Sequence, residues 1–164
     1  MEKHCDIILT YCWNGGDVNK YKEYDNYLAE ILCNLEKYRL KGTFFCVGGM
    51  AREFPEVVRR IADAGHEIGC HSNVHTWLNK MTPQECLEDT RAAVDALEQC
   101  IGQKVKSYRA PAFSIGESNK WVFEVLAECG IERDASIFPQ PVISVVFRRL
   151  DRRHQPSFAT MASN

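Results

Sequence analysis

Ile7-Ile8-Leu9-Thr10-Tyr11 and Thr43-Phe44-Phe45-Cys46-Val47 are unbroken apolar runs, and each leads through a glycine-bearing break into a segment with helical spacing. A strand that is apolar on both faces needs cover on both, which points to a parallel sheet under helices rather than a half-exposed antiparallel one. The pattern continues along the chain. A helix is expected from Tyr21 to Tyr38, with Tyr24, Tyr27, Leu28, Ile31, Leu32, Leu35 and Tyr38 at three-and-four spacing. A second is expected from Pro55 to Ala64 with Phe54, Val57, Val58 and Ile61 inward and Gly65 at its cap.

Glu67 to Cys70 reads as a third strand ending at His71. Thr82-Pro83-Gln84-Glu85 combines an N-cap threonine, a first-turn proline and a capping-box glutamate, so a helix opens there and runs to Gly102. Val105 to Tyr108 is the fourth strand, Ser118 caps a helix through Cys129, and Ile131 to Phe138 is the fifth strand. Val142 to Phe147 is a candidate sixth. Strand–helix pairs of about thirty residues predict an α/β fold of parallel strands joined by right-handed crossovers. Functional groups in such folds gather at the C-terminal strand ends. Here those ends carry Thr10 to Asp17, His71 to His75, Arg109 to Phe113 and Asp134 to Phe138.

His71 and His75 are the residues of most chemical interest. Two imidazoles four apart can share one divalent ion at about 2.0–2.1 Å, leaving room for a carboxylate and a water. Eight cysteines, at positions 5, 12, 33, 46, 70, 86, 100 and 129, form no Cys-x-x-Cys pair. Cys33, Cys86, Cys100 and Cys129 fall on apolar helical faces and Cys46 and Cys70 within strands, so they read as small core residues in a reducing compartment. With no apolar stretch near Met1 and no run approaching a membrane span, a cytoplasmic chain is expected. The formal charge of −2 over 164 residues supplies no basic field for a nucleic acid. Residues 1–139 form the expected domain. Residues 140–164, with four Arg and one Asp, make an atypical basic tail expected to be solvated.

The motifs together resemble the polysaccharide deacetylases, the NodB-homology family of carbohydrate esterases, over residues 6–139. Lys41 to Gly48 resembles that family's second strand, and Arg59 to His75 its His-Ser/Thr-x-x-His block with the preceding helix. Arg109-Ala110-Pro111-Ala112-Phe113 resembles its Arg-x-Pro-x-aromatic motif. Asp134-Ala135-Ser136-Ile137-Phe138-Pro139 is similar to a stretch of the exopolysaccharide-linked branch.

The resemblance implies a deformed (β/α) barrel, a divalent metal, usually zinc, and hydrolysis of N-acetyl groups on a glycan. His71 and His75 would be metal ligands, Arg109 would orient a catalytic carboxylate, and Phe113 with Pro111 would line the substrate groove. Two departures accompany it. The family's first strand ends in Thr-Phe-Asp, whereas this chain has Thr10-Tyr11-Cys12, leaving Asp17 as the nearest carboxylate for base or third ligand. The family's last histidine motif has no counterpart, since the flanks of His154 do not match it. Five or six strands leave a barrel of seven or eight incomplete, with an open edge available for self-association. Two further readings follow: a small C–N bond hydrolase of the cyclic-imide or allantoin type, and a non-catalytic family member.

Overall fold

The computed structural model of the chain describes residues 3–7 and 18–137, with side chains from Tyr27 onward. It contains five parallel strands in the spatial order β1-β2-β3-β4-β5: Lys3–Ile7, Leu40–Cys46, Glu67–Cys70, Ser107–Tyr108 and Arg133–Asp134. Every neighbour in space is also the neighbour in sequence. That singly wound order, with crossovers of one hand, puts the helices on one face and curls the sheet as a (β/α) barrel does. The helices are α1 Val18–Lys37, α2 Gly48–Glu53, α3 Pro55–Asp63, α4 Pro83–Ile101 and α5 Val122–Glu128.

The register separates the two faces. Phe44, Ile68, Cys70 and Tyr108 point to the helix side, where they meet Val58 and Ile61 of α3, Val94 and Leu97 of α4 and Val122 of α5 in one buried core. Each fully buried side chain of this size contributes about 1.5–3 kcal/mol of transfer free energy. Thr43, Phe45, Glu67, Gly69, Ser107 and Arg133 share the opposite, concave face. The best-specified helix is α4. Thr82 Oγ1 accepts from the Glu85 amide at 3.3 Å, Glu85 Oε2 accepts from the Thr82 amide at 2.7 Å, and Gly102 closes the helix at φ 68°.

Several elements differ from the sequence expectation. The first strand starts at Lys3, pairing Lys3 with Leu40 and Ile7 with Phe44, because the ladder is borne by the backbone and takes in polar residues ahead of the apolar run. Residues 8–17 lie outside the described residues. Gly48-Gly49 opens helix α2 instead of a turn. A Cβ on Gly48 would come within 2.5 Å of the Ala93 Cα, so glycine lets α2 lie directly on α4.

Cys33 is exposed, as are Tyr27 and Tyr38, so the buried stripe of α1 is narrower than its apolar spacing and runs through Leu28 and Leu35. Ser118 does not cap α5. It sits in a 3₁₀ turn over Glu117–Asn119, and α5 starts at Val122 without a side-chain cap. The fourth and fifth strands shrink to two residues each. Phe138, the expected sixth strand and the 140–164 tail lie outside the described residues. No helix among the described residues is long and apolar enough to cross a membrane.

Candidate functional site

β3 ends at Cys70 and delivers His71 to the rim of the concave face, where it is buried at 3% exposure. Its amide donates to the Cys46 carbonyl at 2.9 Å, extending the β2–β3 ladder by one bond. The ring is fixed as well: Nδ1 lies 2.6 Å from the Arg109 carbonyl oxygen. A carbonyl only accepts, so the proton sits on Nδ1 and the Nε2 lone pair is left for another partner. Burial pushes the His71 pKa down to about 4, against the pull of that hydrogen bond, so the ring is neutral in ordinary buffers. A neutral imidazole held by its far nitrogen is the form that ligates metals.

His75 is brought back to His71 by a tight loop. Ser72 and His75 both adopt left-handed backbone, φ 62° and 60°, and the Ser72 hydroxyl accepts from the His75 amide at 2.8 Å. Such conformations cost of order 1–3 kcal/mol for residues with a side chain and persist where surrounding bonds enforce them. The enforcement is visible. The Gly48 and Gly49 amides donate to the Ser72 and Asn73 carbonyls at 3.0 and 2.8 Å. Asp89 of α4 accepts from the amides of Asn73 (2.8 Å) and Val74, and Arg52 of α2 bonds the Asn73 side chain.

The two rings end 5.1 Å apart, centre to centre, at 62°. An ion about 2.0–2.1 Å from one nitrogen of each ring lies roughly 3.2 Å from each ring centre, and a tetrahedral angle then separates the centres by roughly 5.2 Å. The observed separation of the ring centres matches that spacing. Among the described residues no group of three or more His, Cys, Asp or Glu converges that could hold a metal ion. Asp17 and Cys12 lie outside the described residues.

Arg109 follows β4 and is buried, at 8% exposure. Its guanidinium lies over the Phe45 ring at 4.7 Å and 5.7 Å from the Phe113 ring, and Nε donates to the Ala135 carbonyl at 2.9 Å. Phe45 can lie flat there because residue 69 is glycine; a Cβ would stand 2.6 Å from its Cδ1. Pro111 is fully buried and opens a 3₁₀ turn in which Ala112 and Phe113 both have φ 51°, leaving Phe113 40% exposed. Pro111 thus shapes the rim from beneath, without reaching solvent. His66 is not part of this cluster: its Nδ1 accepts from the Gly42 amide at 3.3 Å and its ring packs on Phe44.

Sequence reasoning passed over the groups that brace the site. Asp89, Arg52 and Asn73 hold the histidine loop. Below it on the concave face, Glu67 accepts from Thr43 Oγ1 (2.7 Å) and Ser107 Oγ (2.6 Å) and pairs with Arg133. The period-two register of the strands is the signal that aligns this row. A cleft of about 950 Å³ between α1 and α3 opens beside Leu40 and His66, at the strand ends away from His71 and His75.

The sequence matches the polysaccharide deacetylase family over residues 10–133. The chain belongs to that family. Polysaccharide deacetylases and their relatives match it with moderate identity. The chain is 34% identical over 120 residues to a peptidoglycan-N-acetylglucosamine deacetylase of Bacillus cereus, covering 73% of the chain and 41% of the relative. It is 35% identical over 104 residues to the uncharacterized protein YlxY of Bacillus subtilis, covering 63% of the chain and 32% of that protein.

The fold is similar to the crystal structure of a CE4 family pseudoenzyme from Bacillus anthracis, with a TM-score of 0.67 at 22% identity over 81% of the chain and 42% of that structure. The chain therefore spans less than half the length of these relatives. The five parallel strands in sequential order agree with the barrel-type α/β fold that the motifs imply.

Proposed function

We propose that this polysaccharide deacetylase domain is a metal-dependent hydrolase of the amide C–N bond in N-acetylated glycans, with His71 and His75 as two ligands of a divalent ion, zinc by preference. The observation that carries the reading is the pair of imidazoles 5.1 Å apart, one of them locked by its Nδ1 to the Arg109 carbonyl. Bound there, the ion would polarise the acetamide carbonyl and lower the pKa of a coordinated water. His71 and His75 hold it. Arg109, seated on Phe45, presents a buried cation beside them and orients the carboxylate that takes the proton. Asp17 is the candidate for that carboxylate and for the third ligand. Phe113, exposed at the rim, contacts the sugar.

One observation favours a second reading, a family member that binds metal or glycan without turnover: Cys12 stands where the resemblance places the base carboxylate. A thiol of ordinary pKa about 8.5 is a poor substitute for a carboxylate base at neutral pH. Metal content and acetate release on an acetylated chito-oligosaccharide, measured for the native chain, Cys12→Asp and His71→Ala, separate the two. The hydrolase reading expects one bound zinc, lost in His71→Ala, slow acetate release by the native chain and faster release by Cys12→Asp. Zinc without acetate from both active-site forms leaves the non-catalytic reading.

A further inference from the structure

At the strand ends away from His71 and His75, α1 and α3 flank the start of β2 and leave between them the cleft of about 950 Å³. Small-molecule sites usually enclose about 300–1,000 Å³, so the cleft is large enough for one. Ala29, Leu32 and Leu35 of α1 with Leu40 of β2 give it an apolar side. Leu35 and His66, both buried, form its floor.

The rest of the lining is charged. Arg39, Lys41 and Arg60 stand against Glu36 and Asp63, a net of one positive charge. Two helices end at the cleft, α1 at Lys37 and α3 at Asp63, and a helix C-terminus carries partial negative charge. Lys41 answers the end of α3, since its Nζ donates to the Ala64 carbonyl at 3.0 Å. His66 adds a donor: its Nδ1 accepts from the Gly42 amide at 3.3 Å, so the ring proton is on Nε2. The two guanidinium groups, of which Arg60 is half-buried, are then the cations best suited to meet a ligand.

Arg39 is in place at a cost. Beyond the last residue of α1 its amide donates to the Glu36 carbonyl at 2.9 Å, and its backbone takes φ 52°. Glycine ordinarily fills such a position after a helix, because a Cβ disfavours left-handed backbone. Non-glycine residues held in that region cluster at ligand clamps, and this one borders the cleft. Apolar side chains beside guanidinium groups restrict the occupant to an amphiphile. A carboxylate head accepts two parallel N–H bonds from a guanidinium and cancels the net charge, whereas a cationic head meets the same charge as repulsion. An aliphatic tail covers the apolar side and gains the free energy of leaving water.

We propose that the cleft between α1 and α3 binds an aliphatic carboxylate, with its chain along Leu32 and Leu40 and its head on Arg39 and Arg60. The site lies apart from His71 and His75 and uses none of their neighbours. It therefore stands whether or not the domain deacetylates glycans.

The test is calorimetric titration of the full chain with decanoate and with decyltrimethylammonium, both below their micelle concentrations. EDTA is present so that no metal at the histidines draws the carboxylate. The native chain is expected to bind one decanoate, about tenfold or more tighter than the cation, the range for a hydrogen bond to a charged group. Ala29→Trp fills the cleft from an exposed position on α1 and is expected to abolish saturable binding. Arg39→Gly removes the guanidinium and the left-handed cost together. It should keep or raise the thermal midpoint while decanoate affinity falls about tenfold, so that the loss is not one of folding. No saturable decanoate binding by the native chain, equal affinity for the two head groups, or undiminished decanoate binding in either variant overturns the site.

Discussion

The Nδ1 atom of His71 and the carbonyl oxygen of Arg109 lie 2.6 Å apart, joining the ends of β3 and β4 through a side chain as well as through the ladder. The bond sets the tautomer, while burial, against the pull of that bond, keeps His71 uncharged. His71→Gln removes the free Nε2 while retaining polarity. The expected result is loss of stoichiometric zinc after dialysis, with the far-ultraviolet dichroism spectrum of the native chain. Retention of one zinc per chain by this variant would assign the ligand role elsewhere.

The Glu67 row gives a pH dependence. Burial alone would raise its pKa, but the hydrogen bonds from Ser107 and Thr43 and the Arg133 guanidinium outweigh it, leaving the carboxyl below its ordinary 4.5. A carboxylate depressed in the folded state adds stability that is complete above the unfolded pKa and disappears as pH falls through the folded one. Denaturant midpoints of the native chain should therefore fall as pH drops below about 4.5. Glu67→Gln should start lower and decline less over that interval. Parallel acid limbs for the two proteins would show that Glu67 carries no part of the acid sensitivity.

Gly69→Ala tests the platform under the guanidinium. The added Cβ would sit 2.6 Å from Phe45 Cδ1 and 3.3 Å from the Ser107 carbonyl, so the ring must leave its position below Arg109. Overpacking of this kind costs about 1–3 kcal/mol. The expected outcome is a lower denaturant midpoint together with a weakened response to acetylated substrate. Phe45→Leu, which leaves space but removes the ring face, should lose the second without all of the first.

How far the chain could be read in advance depended on where the information sits. Helix α4 was legible from Thr82, Pro83 and Glu85 because capping is a contract between near neighbours in sequence. β3 was legible because its two ends are marked by Gly65, at φ 79°, and by His71. The parallel order followed from alternation alone. Helix α2 was not legible, since the reason for Gly48 is Ala93, forty-five residues away. Cys33 was misplaced because an apolar spacing shows which residues share a helix face but not how wide a stripe the sheet covers. For the candidate site, the residue types at 71, 75, 109 and 113 marked the positions to look at, while the groups that hold the histidines, Asp89, Arg52 and the Arg109 carbonyl, act across elements and leave no local pattern.

Asp89 carries the last prediction. Burial raises its pKa above the ordinary 3.8, the Asn73 and Val74 amides and Arg52 oppose that, and the carboxylate is the acceptor that keeps both amides paired. Asp89→Ala would leave two backbone donors beneath the histidine loop without a partner. Each buried donor left unmade costs about 1–3 kcal/mol unless the loop moves to reach water. The loop is the cheaper thing to move, because Ser72 and His75 are already in left-handed backbone that relaxes once its restraints go. His75 would then leave its position 5.1 Å from the His71 ring. Zinc affinity by chelator competition should fall about 10–100-fold, the range for loss of a supporting bond behind a ligand, while the thermal midpoint of the domain shifts little. A large thermal loss with unchanged zinc affinity would make Asp89 a core residue instead of the brace of the loop.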